Sequence, residues 1–486
     1  MVDQITSINS AVNGFVWGIP VLSLLIGVGI LMTVLTGVFQ ITHFKHWVSS
    51  TIGSMFSKNN AAHETDDISI SPFQALCTAL AATVGVGNIA GVASAIVSGG
   101  PGAVFWMWLA AFVGMMTNYS ENVLGIYYRV KNENGEWAGG AMYYLSRGLS
   151  NKAAGKVLAT LFAVFAVLAS FGIGNASQVN TIASNMTSAF SIPSLVTGVV
   201  LMILAGLVIV GGLKRIASVT EKIVPPMVVL YLVGAFVIVI MNADMIGASF
   251  AAIFQYAFGL KAFGGAAVGV AVKAAVTMGF KRGVFSNEAG LGSSVMVHSA
   301  SSVKEPVQQG MWGIFEVFAD TIIVCTLTAL VVLTSGLIDL ETGVLLTESS
   351  GSVLVSDAFA NCFGYAGSAF IAIAILLFAF STVLGWSYYG TKSWEYLFGT
   401  KSTIIYKVVF VLFVVVGATM NLTLAWDISD TFNGLMALPN LVGVLFLSPV
   451  VMKITKNYIA RTFKGEKIAP MLSADEAIQK EHADAI

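Results

Sequence analysis

The chain has 486 residues, of which 56% are apolar and 10% charged, and its net charge is −1. A soluble protein carries roughly 25% charged residues to cover its surface, so much of this surface must face lipid. With no basic stripe interleaved with aromatics, nucleic acid is excluded as a partner. Apolar stretches of about 20 residues cross a ~30 Å hydrocarbon core only as helices, because unpaired backbone groups are not tolerated there.

Taken in chain order, the apolar runs predict eleven membrane spans, at about 17–39, 72–98, 102–128, 153–189, 193–211, 214–241, 266–297, 306–335, 367–390, 403–425 and 433–455. Residues 1–13 are polar without a basic start, so no cleavable signal is expected. The fourth span is long enough to be tilted or broken near Gly172 and Gly174. Asp244 to Gly265 reads as an interfacial helix with a loop, and 337–366 as a loop with a short helix, Val353 to Cys362. The tail beyond Thr455 turns from basic to acidic and is expected to be partly disordered. Cys77, Cys325 and Cys362 read as reduced, membrane-embedded thiols. The sequons at Asn118, Asn185 and Asn421 lie in or beside apolar runs and read as chance matches.

The basic residues test this topology. Lys45, Lys58, Arg129, Lys131, Arg147, Lys152, Lys156, Lys214, Arg215, Lys222, Lys304, Lys392, Lys401 and Lys407 all fall on one side if there are eleven crossings, as do the basic residues from Lys453 onward. The opposite side holds Lys261 among acids such as Asp244, Asp339, Asp427 and Asp430. Positive-inside logic therefore places the N-terminus outside and the C-terminus in the cytoplasm of a plasma-membrane protein.

Two spans are interrupted. The second carries Gly85, Gly87, Asn88 and Gly91 near its midpoint, and the seventh carries Gly279, Gly283, Asn287, Glu288, Gly290 and Gly292. Each Gly costs about 1 kcal/mol against Ala inside a helix. Glycines that only let helices pack closely are one reading. The other is a pair of helices that unwind at mid-membrane, offering N–H groups to an anion and C=O groups to a cation. Each interrupted helix leads a set of five spans, 72–241 and 266–455, and the two sets have opposite orientation. That arrangement divides the chain into 1–71 (first helix and loop), the two repeats joined by 242–265, and a tail, 456–486. Inverted repeats of this kind place a solute site at their interface.

Several long blocks resemble the alanine/glycine:cation symporter family, also called the amino acid carriers. They are Gly99-Gly100-Pro101-Gly102-Ala103-Val104-Phe105-Trp106-Met107-Trp108, the run from Thr78 to Gly91, the run from Lys281 to Ser293, Phe171 to Asn175, and Phe380 to Trp386. The resemblance spans essentially the whole chain. It implies an all-α, leucine-transporter-like core of five plus five inverted helices (the APC superfamily) with one extra N-terminal helix. It also implies import of alanine or glycine coupled to sodium, with proton coupling as the alternative.

By the same resemblance, Val86, Gly87 and Asn88 hold the substrate carboxylate, Gln178 makes a polar contact, and Trp386 walls the pocket, with Met278 and Phe280 as its floor. The fold analogy assigns sodium to the Ala81, Val84 and Phe378 carbonyls with Ser381 and Thr382. At the middle of Gly85-Val86-Gly87 some relatives carry a hydroxyl residue where this chain has Val86.

Asp320 lies deep in span eight, and an acid there is a functional candidate by default. It is expected to join Asn88 at a second cation site, to carry a proton, or to pair with Lys273. Glu288 and Arg282 are expected to pair and gate the cytoplasmic route or to cap a helix end, and Glu121 to sit near the cytoplasmic boundary. His43, His46 and His63 lack metal-ligand spacing, and His298 and His482 read as incidental. There is no nucleophile elbow, His-Glu-x-x-His or phosphate-cradling Gly-Lys-Ser/Thr, so neither an enzyme, a cofactor nor an ATP-driven pump is expected. A passive channel is the less favoured alternative, since channels draw filters from several identical subunits. The sequence carries no signal for oligomeric state.

Overall fold

The computed structural model describes residues 2–56, 68–260, 265–420 and 423–484; Lys58, His63, Lys261 and Asn421 lie outside them. The chain is almost wholly helical. Helix α1 (Val2–Val16) leads into α2 (Ile19–Leu35), followed by the short α3 (Phe39–Thr42) and α4 (Phe44–Val48). Helix α5 (Pro72–Thr83) starts sharply because Ser71 and Gln74 form a reciprocal capping box and Pro72 occupies the first turn. After a break come α6 (Val92–Gly99) and α7 (Ala103–Tyr128). A two-stranded hairpin, β1 (Val130–Lys131) and β2 (Trp137–Ala138), precedes α8 (Ala141–Gly148), α9 (Lys152–Phe171) and α10 (Ser177–Phe190).

Next are α11 (Ser194–Ile209), α12 (Gly212–Met241), α13 (Ile246–Ala257) and α14 (Gly265–Asn287). Then follow α15 (Val295–His298), α16 (Pro306–Val317), α17 (Thr326–Thr334) and α18 (Gly351–Phe363). The last four are α19 (Tyr365–Phe398), α20 (Thr403–Thr419), α21 (Thr423–Lys464) and α22 (Glu476–Ala483).

Seven helical stretches among the described residues are long and apolar enough to cross a membrane, or eight if α5 and α6, bent by 52°, form one span. Their outer faces are apolar at helical spacing: Leu195, Val199, Ile203 and Leu207 on α11, Val229, Val233, Phe236 and Ile240 on α12, and Ile405, Val409, Leu412 and Val416 on α20 are all exposed. An exposed apolar stripe on three helices is the surface that lipid requires.

Helix α7 runs through the centre, packed by α2, α14 and α16, while α19 is covered by α5, α9, α10 and α12. The glycines leading into α7 have a steric reason. Gly100 takes a φ of 70°, and a Cβ on Gly102 would come within 2.3 Å of the Ala257 nitrogen on α13.

The tail differs from expectation. Ala474 N–H donates to the Tyr127 carbonyl at 2.8 Å, Asp475 caps α22, and Ile478 and His482 are buried. Asp475 lies 3.5 Å from Arg147 and Glu481 lies 3.1 Å from Lys131. The hairpin supplies the surface: the Trp137 ring meets His482 on one contact and the Arg129 guanidinium on another.

Candidate functional site

Helix α5 ends at Thr83, where the Gly85 N–H is captured by the Asn88 side chain at 2.9 Å. That N–H is the one an unbroken helix would give to the Ala81 carbonyl, so the break frees Ala81 to accept from elsewhere. It accepts from Ser381 Oγ at 3.3 Å. Ser381 also donates to the Phe378 carbonyl at 2.8 Å, as Thr382 Oγ1 does at 3.0 Å. Four of the five expected sodium ligands, Ala81, Phe378, Ser381 and Thr382, therefore meet between α5 and α19. The Val84 carbonyl is also released at the break, but no contact joins it to the two hydroxyls.

On the other side of the break, Val86 N–H donates to Gln178 Oε1 at 3.3 Å, and Gln178 Nε2 is anchored to the Ile173 carbonyl at 3.0 Å. Ile173 belongs to a widened turn, Gly172–Ala176, between α9 and α10. Val86, Gly87, Asn88 and Gln178 thus come together. Trp386 is buried against the same widened turn, its Cβ 2.4 Å from where a Cβ on Gly174 would sit.

Met278 and Phe280 are not brought to that contact. Helix α14 stays unbroken through Asn287, which turns Phe280 onto Trp106 and leaves Met278 against Gly99. One and two turns further along, Arg282 and Phe285 reach the break, and a Cβ on Gly87 would lie 3.2 Å from the Phe285 ring. Their spacing of four and seven from Met278 was the available signal. The non-helical stretch itself is shorter than expected, between Asn287 and Val295, with positive φ at Glu288, Gly290 and Gly292.

Asp320, in a widened turn between α16 and α17, is fully buried. Its carboxylate accepts from Asn88 Nδ2 at 2.7 Å, Ser286 Oγ at 2.8 Å and Thr321 Oγ1 at 2.8 Å. The expected partnership with Lys273 does not form, because Lys273 is exposed. Nor do Glu288 and Arg282 pair: Glu288 accepts from Ser293 at 2.5 Å, while the Arg282 guanidinium lies 5.5 Å from the Phe285 ring.

The sequence reading also missed a buried polar layer. His298 Nε2 lies 3.0 Å from Glu316, which Asn118 contacts at 3.3 Å, and Gln309 Nε2 lies 2.5 Å from His298 Nδ1. Glu121 is fully buried rather than at a boundary, held at 2.5 Å by Asn440. A cavity of about 260 Å³ opens onto Val86 and Gly87 from the side of α18, bordered also by Arg282, Phe285 and Ser352.

Broken helices that present freed backbone groups and hydroxyls to a buried centre are the architecture of a membrane transporter for a solute and an ion. The chain belongs to the sodium:alanine symporter family, which residues 2–471 match. It is a sodium-coupled amino acid symporter and not an enzyme. Over 452 residues it is 47% identical to the sodium/alanine symporter AgcS of Methanococcus maripaludis, covering 93% of this chain and 97% of that one. It is 37% identical to the probable sodium/glutamine symporter GlnT of Bacillus subtilis, covering 93% and 91%. The fold is shared with a substrate-bound, outward-open Na⁺-coupled sialic acid symporter at a TM-score of 0.52, 13% identity and 96% coverage of each chain.

Proposed function

We propose that this protein imports alanine or glycine across the plasma membrane, driven by the sodium gradient, through alternating access of the break between α5 and α6. The observation that carries the reading is the convergence on one break of a carbonyl-and-hydroxyl cluster and a backbone N–H held by Gln178. Sodium favours hard oxygen donors such as carbonyls and hydroxyls, as other hard cations do. Ala81, Phe378, Ser381 and Thr382 supply them, with the freed Val84 carbonyl completing the set after a small turn of the break. Asp320 with Asn88, Ser286 and Thr321 forms the second cation site. The substrate carboxylate displaces Gln178 Oε1 from the Val86 N–H and takes the amides of Val86, Gly87 and Asn88.

Trp386 and Phe285 bound the side-chain end of the pocket, which favours a methyl or a hydrogen there. The relationship to AgcS supports alanine, and the bulk of the indole argues against the longer side chain that GlnT is named for. Eleven spans, organised as five plus five inverted helices after a first helix, with the N-terminus outside and the tail in the cytoplasm, fit the distribution of basic residues and the two leading breaks. Radiolabelled alanine uptake into proteoliposomes tests the reading, with an inward sodium gradient against an equal potassium gradient. Accumulation with sodium alone is expected; equal uptake in both would overturn the sodium assignment.

A further inference from the structure

Arg282 carries five N–H donors on a membrane-embedded stretch of α14, yet among the described residues it has no hydrogen-bond acceptor and no carboxylate partner; its Nε is buried without a partner. A guanidinium does not lose its proton, and an intramembrane cation without an anion is expensive. Acids are not lacking nearby. The preceding residue, Lys281, is paired with Asp430, and Glu288, just beyond the end of α14, is engaged by Ser293. Arg282, its guanidinium 5.5 Å from the Phe285 ring, borders the cavity that reaches Val86 and Gly87 with no anionic partner among the described residues.

The surroundings favour an anion of organic size. About 260 Å³ is room for a small amino acid and far more than one ion fills. Ser94, Thr181 and Ser352 add hydroxyls to the wall, and the first residues of α18 form its far side, where the Ser350 side chain makes no capping bond. Orphan N–H groups of a helix start add to the preference for negative charge.

We propose that Arg282 anchors an outer docking site that captures the carboxylate of the incoming amino acid before the substrate settles against the break. This rests on the reading of the Val86–Gln178 contact as the inner substrate site. The Phe285 ring touches both positions, with the Arg282 guanidinium 5.5 Å from its centre and a Cβ on Gly87 3.2 Å from its edge, so its movement passes the substrate inward.

The test compares wild type with Arg282→Gln and Arg282→Lys in proteoliposomes at saturating sodium. Arg282→Gln is expected to raise the alanine KM on the order of tenfold to hundredfold, the weight of a charge-assisted pair. Maximal rate and half-saturating sodium should move less than about twofold, with Arg282→Lys in between. Replacing chloride by methanesulfonate, which brings no carboxylate, identifies the anion: wild-type uptake indifferent to chloride is expected, and chloride dependence would overturn the carboxylate assignment.

A second measurement covers a variant that folds poorly. Ser94→Cys is labelled from outside with a membrane-impermeant thiol reagent, and alanine should protect it in the wild-type background. Absence of protection, or a wild-type KM in Arg282→Gln, overturns the outer site while leaving sodium-driven uptake intact. Loss of sodium dependence in the wild type would instead strike the transport reading.

Discussion

Replacing Gly85 by alanine puts a methyl group at a point where the break meets both the proposed cation cluster and the proposed substrate contact. A Cβ there would lie 2.4 Å from Thr382 Oγ1, 3.3 Å from Gln178 Oε1 and 3.4 Å from Thr382 Cβ. The first distance forces a movement. If Thr382 rotates, its hydroxyl leaves the cluster around the Phe378 carbonyl; if the backbone withdraws, the Ala81 carbonyl and the Val86 N–H move with it. Overpacking of this kind costs about 1–3 kcal/mol, which corresponds to roughly 5- to 150-fold in affinity. Half-saturating sodium is therefore expected to rise about tenfold or more in proteoliposome uptake, with a smaller rise in the alanine KM.

Two neighbours grade the argument. A Cβ at Gly87 meets the Phe285 ring at 3.2 Å, and one at Gly91 meets nothing within 4 Å. Gly87→Ala should affect alanine more than sodium, because the ring and not the cluster must yield, and Gly91→Ala should be close to neutral. Wild-type sodium dependence in Gly85→Ala, with normal folded yield by size-exclusion chromatography, would refute the placement of the cation cluster.

Ser381→Ala removes the hydroxyl that joins α19 to the Ala81 carbonyl, so half-saturating sodium should rise about tenfold with the maximal rate largely kept; uptake at graded sodium reads it. Trp386→Ala should admit leucine as a competitor of alanine uptake, and it should also cost about 3–5 kcal/mol of stability, because the buried indole leaves a cavity. Leucine remaining inert in a folded variant would remove Trp386 from the pocket wall. His298→Ala leaves Glu316 and Gln309 without the imidazole they contact and should cost about 1–3 kcal/mol, as stranding buried polar groups does. The double change His298→Phe with Glu316→Leu should recover much of that loss in thermal unfolding in detergent.

In the tail, burial and the nearby Arg129 charge hold the His482 imidazole down to about 4. A depressed value means that the undocked tail binds the proton more readily. Docking is therefore intact above about pH 6.5 and weakens as the pH falls toward 4. Protease protection of the tail should decline across that window and become flat in His482→Gln.

How far the sequence carried depended on whether the signal was local. Apolar runs of span length are local, and among the described residues seven helical stretches, or eight with the bent pair, are long and apolar enough to match them. The first break was legible because Gly85, Gly87 and Asn88 cluster within a turn. The second was read too broadly because glycines serve two ends in one segment. Gly279 packs, with its Cβ position 2.5 Å from the Ala103 carbonyl, whereas Gly290 and Gly292 adopt positive φ and make the turn. Composition cannot separate those roles.

Placing Met278 and Phe280 at the site followed from the same error, since both lie on helix that remains wound. Glu316 and Asn440 escaped notice, and Asn118 and His298 were not read as a polar layer, because their mutual contacts form only across helices. The tail looked featureless for the same reason: its docking surface, the hairpin at Trp137, lies more than 300 residues earlier in the chain.

The coupling between the two cation clusters and the solute can be traced through Asn88. Its Oδ1 accepts the Gly85 N–H, which frees the Ala81 carbonyl for the Ser381 cluster, while its Nδ2 donates to Asp320. A single amide therefore sits between two clusters that never touch. On the proposed reading, a cation at Asp320 would repel the Nδ2 hydrogens and turn the amide, which would loosen its hold on Gly85. The Gly85 N–H can then return toward Ala81, so occupancy at one cluster changes the carbonyl available at the other. The same movement shifts the adjoining Val86 N–H against Gln178. Ion and solute thus act on one short stretch of unwound chain, and a binding energy difference at either end is felt at the other, as linkage requires.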